Sequence, residues 1–240
     1  MKCLTLAAAL AFVATGALAQ DVVRLATEGA YPPFNFLNDA GEIDGFEREL
    51  GDELCTRAEL TFEWVTNEWD SIIPNLVSGN YDAILAGMSI TPERDEVIDF
   101  TQDYSPPTAS AYVALNEGVD LTSGTVAAQA ATIQAGYIAE SGATLLEFAT
   151  PEETVAAVRN GEADAVFADF DFLSAIVDES GGELTFVGDR VPIGGGVGAG
   201  VRESDTELRD TLDGAIQSMK DDGSLNELLI KWFGEDTETY

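Results

Sequence analysis

The chain has 240 residues, of which 11 are lysine or arginine, 44 are aspartate or glutamate and none is histidine, giving a formal net charge of -33 at pH 7. Nucleic acid and anionic membrane surfaces would repel so acidic a chain, so neither is expected as a partner. The lack of histidine removes the commonest general base and metal ligand, and the sequence contains no calcium-loop motif. We therefore expect no metal, no cofactor and no enzymatic chemistry.

The first nineteen residues, MKCLTLAAALAFVATGALA, predict a secretory signal peptide (1–19). Lys2 precedes a short apolar stretch, and Ala17 and Ala19 form an A-x-A cleavage pattern. No later segment reaches the roughly 18–20 apolar residues that a membrane span needs. The mature chain is therefore expected in the periplasm, without direct membrane insertion. Removal of the peptide leaves Cys55 without a disulfide partner, and we expect it to be a buried, inert thiol.

Short apolar runs then alternate with amphipathic segments, which predicts an α/β fold. In chain order, the predicted strands are 22–26, 61–65, 82–86, 110–115, 125–128, 145–148, 164–168, 184–187 and 197–201. The predicted helices are 45–57, 69–78, 92–97, 132–140, 151–160, 170–179, 205–222 and 225–232. Three of the helices are expected to open with a capping box, beginning at Thr150, Ser204 and Ser224.

Residues 75–89 and 157–171 share one plan: a helix end, a glycine, two residues, Asp-Ala and an apolar strand. The repetition favours two similar lobes, each with its own mainly parallel sheet. Ligands of open α/β sheets bind beyond the carboxyl ends of the strands. Residues that follow the two repeated strands are therefore expected to line a shared cleft, namely Gly87, Met88, Ser89 and Asp169.

The turn after the first repeated strand leads into SITPERDEVIDF, which contains one of the few cations of the chain. Thr91 fits the N-cap of a helix and Pro92 its first position. Arg94 then occupies the third position, where free backbone N–H groups already carry partial positive charge. A cation there requires an anion nearby. That anion is either Glu93 or Asp95 in the chain itself, or a bound ligand.

Five stretches occur in a familiar order along nearly the whole mature chain: ATEGAYPPFNF (26–36), GFERELGDELC (45–55), WDSIIPNLVSGNYDAILAGMSITPERDEVIDFT (69–101), GEADAVFAD (161–169) and KDDGSLNELLIKWFG (220–234). Together they resemble the periplasmic solute-binding proteins of polar amino-acid ABC transporters, bacterial solute-binding protein family 3.

The resemblance implies a monomeric hinge protein with the type II periplasmic-binding-protein fold. Its two lobes, each a mainly parallel sheet flanked by helices, would be joined by two crossover strands near 105–110 and 190–197. One lobe would comprise 21–108 plus 195–240, and the other 109–194. The expected partners are a free amino acid and the membrane permease subunits of the transporter, although a sensor partner remains an alternative.

The resemblance also implies how the amino acid is held between the lobes. Arg94 would pair with its α-carboxylate through two parallel N–H···O bonds. Backbone N–H groups at Ser89 and near Thr132, at the start of a helix, would share that anion. Asp169 would hold the α-ammonium group, assisted by the Ser89 hydroxyl and the Gly87 carbonyl. Asp169 capping the following helix is the alternative.

The same resemblance assigns the ligand side chain to Tyr31 and Trp69, which would enclose it from two sides; both could instead be core aromatics. Glu28, and with it Glu47, would reach a distal cation, which predicts a basic amino acid (arginine, lysine or ornithine) or an opine. A neutral polar amino acid such as glutamine is the alternative if Glu28 points to solvent. A periplasmic cyclohexadienyl (arogenate/prephenate) dehydratase on the same fold, with Glu28 or Glu47 as general acid, is the enzymatic alternative.

Overall fold

The computed structural model describes residues 22–240, so the predicted signal peptide lies outside the described residues. In chain order the elements are β1 (Val23–Thr27), β2 (Ala30–Tyr31), β3 (Asn35–Leu37), β4 (Ile43–Asp44), α1 (Phe46–Arg57), β5 (Phe62–Thr66), α2 (Trp69–Val77), β6 (Ala83–Ile84), α3 (Pro92–Asp95), β7 (Asp99–Ser105), β8 (Ser110–Ala114), β9 (Thr125–Gln129), α4 (Ile133–Glu140), β10 (Thr144–Phe148), α5 (Pro151–Arg159), β11 (Ala165–Asp169), α6 (Phe170–Glu179), β12 (Thr185–Val191), β13 (Val197–Val201), α7 (Thr206–Asp222) and α8 (Ser224–Phe233). None of the helices within 22–240 is both long and apolar enough to span a bilayer.

Two five-stranded sheets with the same plan organise the chain. The first has the order β5-β1-β6-β13-β7 and the second the order β10-β9-β11-β8-β12. In each, the second strand runs parallel to the first and third, and the fourth runs antiparallel to its neighbours. We call the half built on the first sheet lobe 1 and the half built on the second lobe 2. The predicted two-lobed α/β architecture of the type II periplasmic-binding-protein fold is confirmed. Each sheet is mixed rather than mainly parallel, however, because two of its four strand pairings are antiparallel.

The repeated segments provide the third strand of each sheet, β6 and β11. Gly79 and Gly161, which end the preceding helical segments, have φ values of 80° and 73°, which glycine adopts without strain. The chain passes from lobe 1 to lobe 2 between β7 and β8 and returns between β12 and β13. The boundaries at 108/109 and 194/195 lie in these connections and stay predictions.

Every predicted helix and strand within 22–240 has a counterpart of the same kind, but four strands were not predicted, namely β2, β3, β4 and β7. The first three have only two or three residues, too few to show a period. Strand β7 contains aspartates, which strands disfavour. Helix α7 neutralises them, because Arg209 pairs with Asp99 at 2.7 Å and Lys220 with Asp103 at 3.3 Å.

One of the three predicted capping boxes forms, at Thr150, where the side chain accepts from the Glu153 N–H and the Glu153 carboxylate accepts from the Thr150 N–H. The other two predictions were wrong. Helix α7 starts after Asp205, one residue beyond Ser204. Ser224 is itself the first residue of α8, because the preceding glycine takes a left-handed conformation between α7 and α8.

The lobe 1 core lies between its sheet and helices α1, α7 and α8, with Leu25, Leu50 and Ile216 fully buried. Cys55 on α1 is buried in the same cluster, and burial raises the pKa of its thiol to about 12. Because the thiolate is the reactive species, this cysteine is inert at neutral pH, as the sequence predicted.

Candidate functional site

A cavity lies between the two lobes, beyond the carboxyl ends of β1, β6, β9 and β11. Eight of the ten residues predicted to bind ligand line it: Glu28, Tyr31, Trp69, Gly87, Ser89, Arg94, Thr132 and Asp169. Three further polar residues of the same lining were not predicted: Gln129, Gln134 and Thr154. Gln129 ends β9, so the rule that ligands bind beyond parallel strands could have found it.

Arg94 is positioned by its short helix, as predicted: the Thr91 hydroxyl accepts a hydrogen bond from the Arg94 N–H at 3.2 Å, and Pro92 opens α3. Its guanidinium forms no ion pair with Glu93 or Asp95. Among the lysines and arginines of residues 22–240, all but this one and Arg190 form an ion pair within 4 Å. Burial lowers the pKa of Arg94 to about 10, although the side chain stays charged at neutral pH.

The neighbours of the Arg94 guanidinium hold it against the cavity wall. Its Nη1 donates to the Ser89 carbonyl at 2.8 Å, Nη2 donates to the Ala131 carbonyl of lobe 2 at 3.5 Å, and its Cζ lies 5.3 Å from the Trp69 ring centroid. These groups are neutral, so they orient the guanidinium without neutralising its charge. The cation therefore keeps its capacity to pair with an anion in the cavity.

Ser89 is oriented by an isolated β-bridge with Val197, whose two hydrogen bonds are made by the flanking residues rather than by Ser89 itself. Along an extended segment, the N–H and C=O of one residue point opposite to those of its neighbours. The Ser89 backbone therefore points away from β13, and its carbonyl meets Arg94. Its N–H points in that same direction.

Asp169 lies on the other side of the cavity, at the N-cap position of α6, but its side chain does not cap the helix. It accepts hydrogen bonds from the Tyr31 hydroxyl at 2.8 Å and from Gln134 Nε2 at 2.9 Å. Burial, with a contribution from Asp171, raises the pKa of Asp169 to about 6, and attraction to Arg94 opposes this shift. Arg94 and Asp169 thus line one cavity from opposite lobes.

Glu28 lines the cavity rather than pointing to solvent. Its Oε1 accepts a hydrogen bond at 2.6 Å from Gln129 Nε2, which also donates to the Ala149 carbonyl at 3.1 Å. Burial raises the pKa of Glu28 to about 7. A carboxylate held in this way gains from any cation that enters the cavity, because the cation restores the stabilisation that burial removed.

The two predicted aromatic residues both line the cavity and both contact the opposite lobe. Tyr31 stacks on Phe172 with ring centroids 4.5 Å apart, so one of its faces is covered by protein. The indole N–H of Trp69 donates to the Ala131 carbonyl at 3.3 Å. The lobes therefore touch across the cavity through these side chains.

Thr132 lies at the start of α4, as predicted, and caps it: its hydroxyl accepts from the Ala135 N–H at 3.1 Å and donates to the Gln129 carbonyl at 2.6 Å. Ala131, just before it, has a φ of 58°, in the left-handed region. An alanine here is strained where glycine would not be. This strained conformation directs the Ala131 carbonyl oxygen towards Arg94 and Trp69, which both donate hydrogen bonds to it.

Met88 and Glu47 are the two predicted site residues that the structure does not bring to the cavity lining. Met88 is fully buried in a second lobe 1 cluster, with Trp69, Ile72 and Ile98, because successive residues of an extended segment face opposite sides. Glu47 is also fully buried, behind the cavity wall, where protein groups saturate its carboxylate.

Residues 23–235 match the family model of bacterial extracellular solute-binding proteins, family 3. The chain belongs to this family. It is 31% identical to the putative ABC transporter arginine-binding protein 2 of Escherichia coli (strain K12), over 97% of this chain and 99% of that one. It is 32% identical to the octopine-binding periplasmic protein of Rhizobium meliloti, over 95% of this chain and 96% of that one.

Among solved structures, this family 3 solute-binding protein is similar to a periplasmic His/Glu/Gln/Arg/opine family-binding protein from Silicibacter pomeroyi, described in complex with lysine. The two are 76% identical, with a TM-score of 0.90. The match covers 91% of this chain and 100% of the other.

Proposed function

We propose that this solute-binding protein is the periplasmic substrate-binding component of an amino-acid ABC uptake system, and that it binds a basic amino acid or an opine between its lobes. The charge of the cavity lining carries the proposal. One guanidinium, Arg94, faces two carboxylates, Glu28 and Asp169. Arginine, lysine and ornithine carry the complementary set, one carboxylate and two cations. The named ligands of the relatives, arginine, octopine and lysine, support the same class.

Each charge of such a ligand has a candidate partner. The α-carboxylate pairs with the forked guanidinium of Arg94 and with the N–H of Ser89, and it lies near the N-terminus of α4 in lobe 2. The α-ammonium pairs with Asp169, and the distal cation with Glu28. Pairing matters because a buried charge without a partner is costly. Trp69 and the free part of Tyr31 cover the aliphatic portion of the ligand.

Binding draws on residues of both lobes, which explains how it can be coupled to transport. Arg94 and Glu28 belong to lobe 1, whereas Asp169 and Thr132 belong to lobe 2. A zwitterion that pairs with both sets favours the closed arrangement, and the closed form of a monomer is what the permease subunits would recognise. No chemical step is needed for this role.

Two rival functions make different predictions. A neutral ligand such as glutamine would leave Glu28 with the Gln129 amide and no cation. A dehydratase would use Glu28 as a general acid, which its raised pKa would allow. The relatives named above are binding proteins, and this favours binding without turnover.

Isothermal titration calorimetry on mature protein, stripped of copurified ligand by reversible unfolding, tests the proposal. The panel is lysine, arginine, ornithine, octopine, glutamine and glutamate. We expect at least one of the first four to bind about 100-fold more tightly than glutamine, and glutamate to bind most weakly. Tight glutamate binding would overturn the cationic assignment, and turnover of prephenate or arogenate would overturn the binding-only role.

A further inference from the structure

A buried polar network lies directly behind the cavity wall of lobe 1, centred on Glu47 and Asn35, which are both fully buried. Glu47 Oε2 accepts from Asn35 Nδ2 at 2.7 Å, and Glu47 Oε1 accepts from the Gly87 N–H at 2.7 Å and from the Tyr104 hydroxyl. Asn35 Oδ1 in turn accepts from the Gly29 N–H at 2.7 Å. Neither side chain touches the cavity itself.

The two backbone donors of this network belong to the two lobe 1 loops that line the cavity. Gly29 directly follows Glu28, and Gly87 lies two residues before Ser89. Both glycines have positive φ values, 74° and 61°, where the chain leaves regular strand geometry. Hydrogen bonds from these backbone N–H groups to side-chain oxygens therefore replace ladder pairing at the points where the loops turn towards the ligand.

Burial raises the pKa of Glu47, but the hydrogen bonds that it accepts from Tyr104, Gly87 and Asn35 oppose that shift and favour the ionised carboxylate. All three groups that contact it are donors, and it lies in the first turn of α1, where the helix dipole favours negative charge. The Glu47 N–H donates to the Phe34 carbonyl at 2.8 Å, which fixes the start of the helix relative to the same loop. A fully satisfied buried network of this kind is rigid.

We propose that Glu47 is a positioning residue for ligand binding: together with Asn35 it braces the Gly29 and Gly87 backbones, and so sets the places of Glu28 and Ser89 before ligand arrives. The inference rests on the proposed function, because it concerns the same cavity. Loops that are ordered in advance spare the ligand the free energy of ordering them, so the brace raises affinity without touching the ligand.

Replacing donors and acceptors within the brace tests the idea. Glu47→Gln keeps the shape but introduces an amide NH₂ donor. In one orientation this donor faces the Gly87 N–H; in the other it faces Asn35 Nδ2 or, if the Asn35 amide flips, turns Nδ2 against the Gly29 N–H. The double change Asn35→Asp with Glu47→Gln reverses the roles: the new amide donates to the new carboxylate, which still accepts from the Gly29 N–H. Charge and hydrogen bonds are then both restored. Tyr104→Phe is the matched control, because it removes a bond to the same carboxylate but no hydrogen bond to either loop.

Two readouts separate positioning from general stability: the Kd for L-lysine by calorimetry, and hydrogen exchange at the Gly29 and Gly87 amides in ligand-free protein. We expect Glu47→Gln to bind lysine about tenfold more weakly, equivalent to about 1.4 kcal/mol, and to exchange faster at both amides. The double variant should return to within about threefold of wild type. Tyr104→Phe should lower the melting temperature but leave the Kd within about threefold.

Other outcomes overturn the inference. A folded Glu47→Gln protein with unchanged lysine affinity would show that the brace does not position the loops for ligand. Equal loss of affinity in the Tyr104→Phe control would show that the network stabilises the fold without specifically positioning the two loops. If Glu47→Gln does not fold, Asn35→Ala, which releases the Gly29 side, applies the same criteria. If wild type fails to bind any basic ligand, the proposed function fails. Hydrogen exchange at the Gly29 and Gly87 amides would still test whether Glu47 and Asn35 hold the two loops.

Discussion

Glu28→Gln is the most selective perturbation of the cavity, because it keeps the shape of the side chain and removes its charge. The Glu28 carboxylate accepts a hydrogen bond from the neutral amide of Gln129, and within residues 22–240 it forms no ion pair. A ligand ammonium group would give it a cationic partner. Hydrogen bonds to charged groups contribute about 1.5–3 kcal/mol. At pH 8 the variant should therefore bind lysine about 10- to 150-fold more weakly than wild type.

The assay compares lysine with norleucine, which has a similar chain but no distal ammonium, by calorimetry on wild type and variant. Glu28→Gln should lose most of the preference for lysine while its norleucine affinity changes little. Glu68→Gln is the matched control, because Glu68 is exposed beside Trp69 but does not line the cavity. A preference for lysine that survives in Glu28→Gln, or that falls equally in the control, would refute the assignment of Glu28 to the distal cation.

The pH dependence of binding provides a second arm of the same test. Because the pKa of Glu28 is about 7, its ionised fraction falls to about 1% at pH 5. Protonation removes the partner of the distal cation, so lysine affinity should fall by up to about 100-fold between pH 8 and pH 5. Norleucine should respond more weakly, through Asp169, whose pKa is about 6. In Glu28→Gln the two ligands should show similar pH profiles.

Three further predictions concern Arg94, protein stability and Ala131. Arg94→Ala should weaken every amino-acid ligand by at least about 100-fold, because a stranded carboxylate costs several kcal/mol, whereas Arg190→Ala, outside the cavity, should bind normally in the same titration. In ligand-free protein the Glu28 pKa exceeds its usual 4.5, so its contribution to stability is present below pH 4.5 and is lost as pH rises through 7. Urea unfolding should therefore show that, from pH 5 to pH 8, the free energy of unfolding of wild type falls by about 2 kcal/mol relative to that of Glu28→Gln. An equal change in the two proteins between these pH values would contradict this. Ala131→Gly should raise the free energy of unfolding by about 1 kcal/mol by relieving left-handed strain, whereas Ala130→Gly should lower it.

Local patterns in the sequence determined much of this protein. Apolar periodicity specified most helices and most strands, because each pattern must bury one face of its element. The repeat around Gly79 and Gly161 indicated two equivalent lobes, and Thr91 and Pro92 correctly placed Arg94 in the first turn of a helix. Each of these signals is a short pattern within one or two segments of the chain, which is why it can be read without the fold.

Tertiary structure decided what depends on distant partners. Glu28 and Glu47 have the same side chain and both lie near predicted elements, yet only Glu28 lines the cavity. Glu47 is kept out of it by Tyr104 and Gly87, which are 57 and 40 residues away. Strand β7 likewise needs cations from α7 to neutralise its aspartates. A carboxylate takes its role from the donors that surround it, and packing brings those donors together only when the chain has folded.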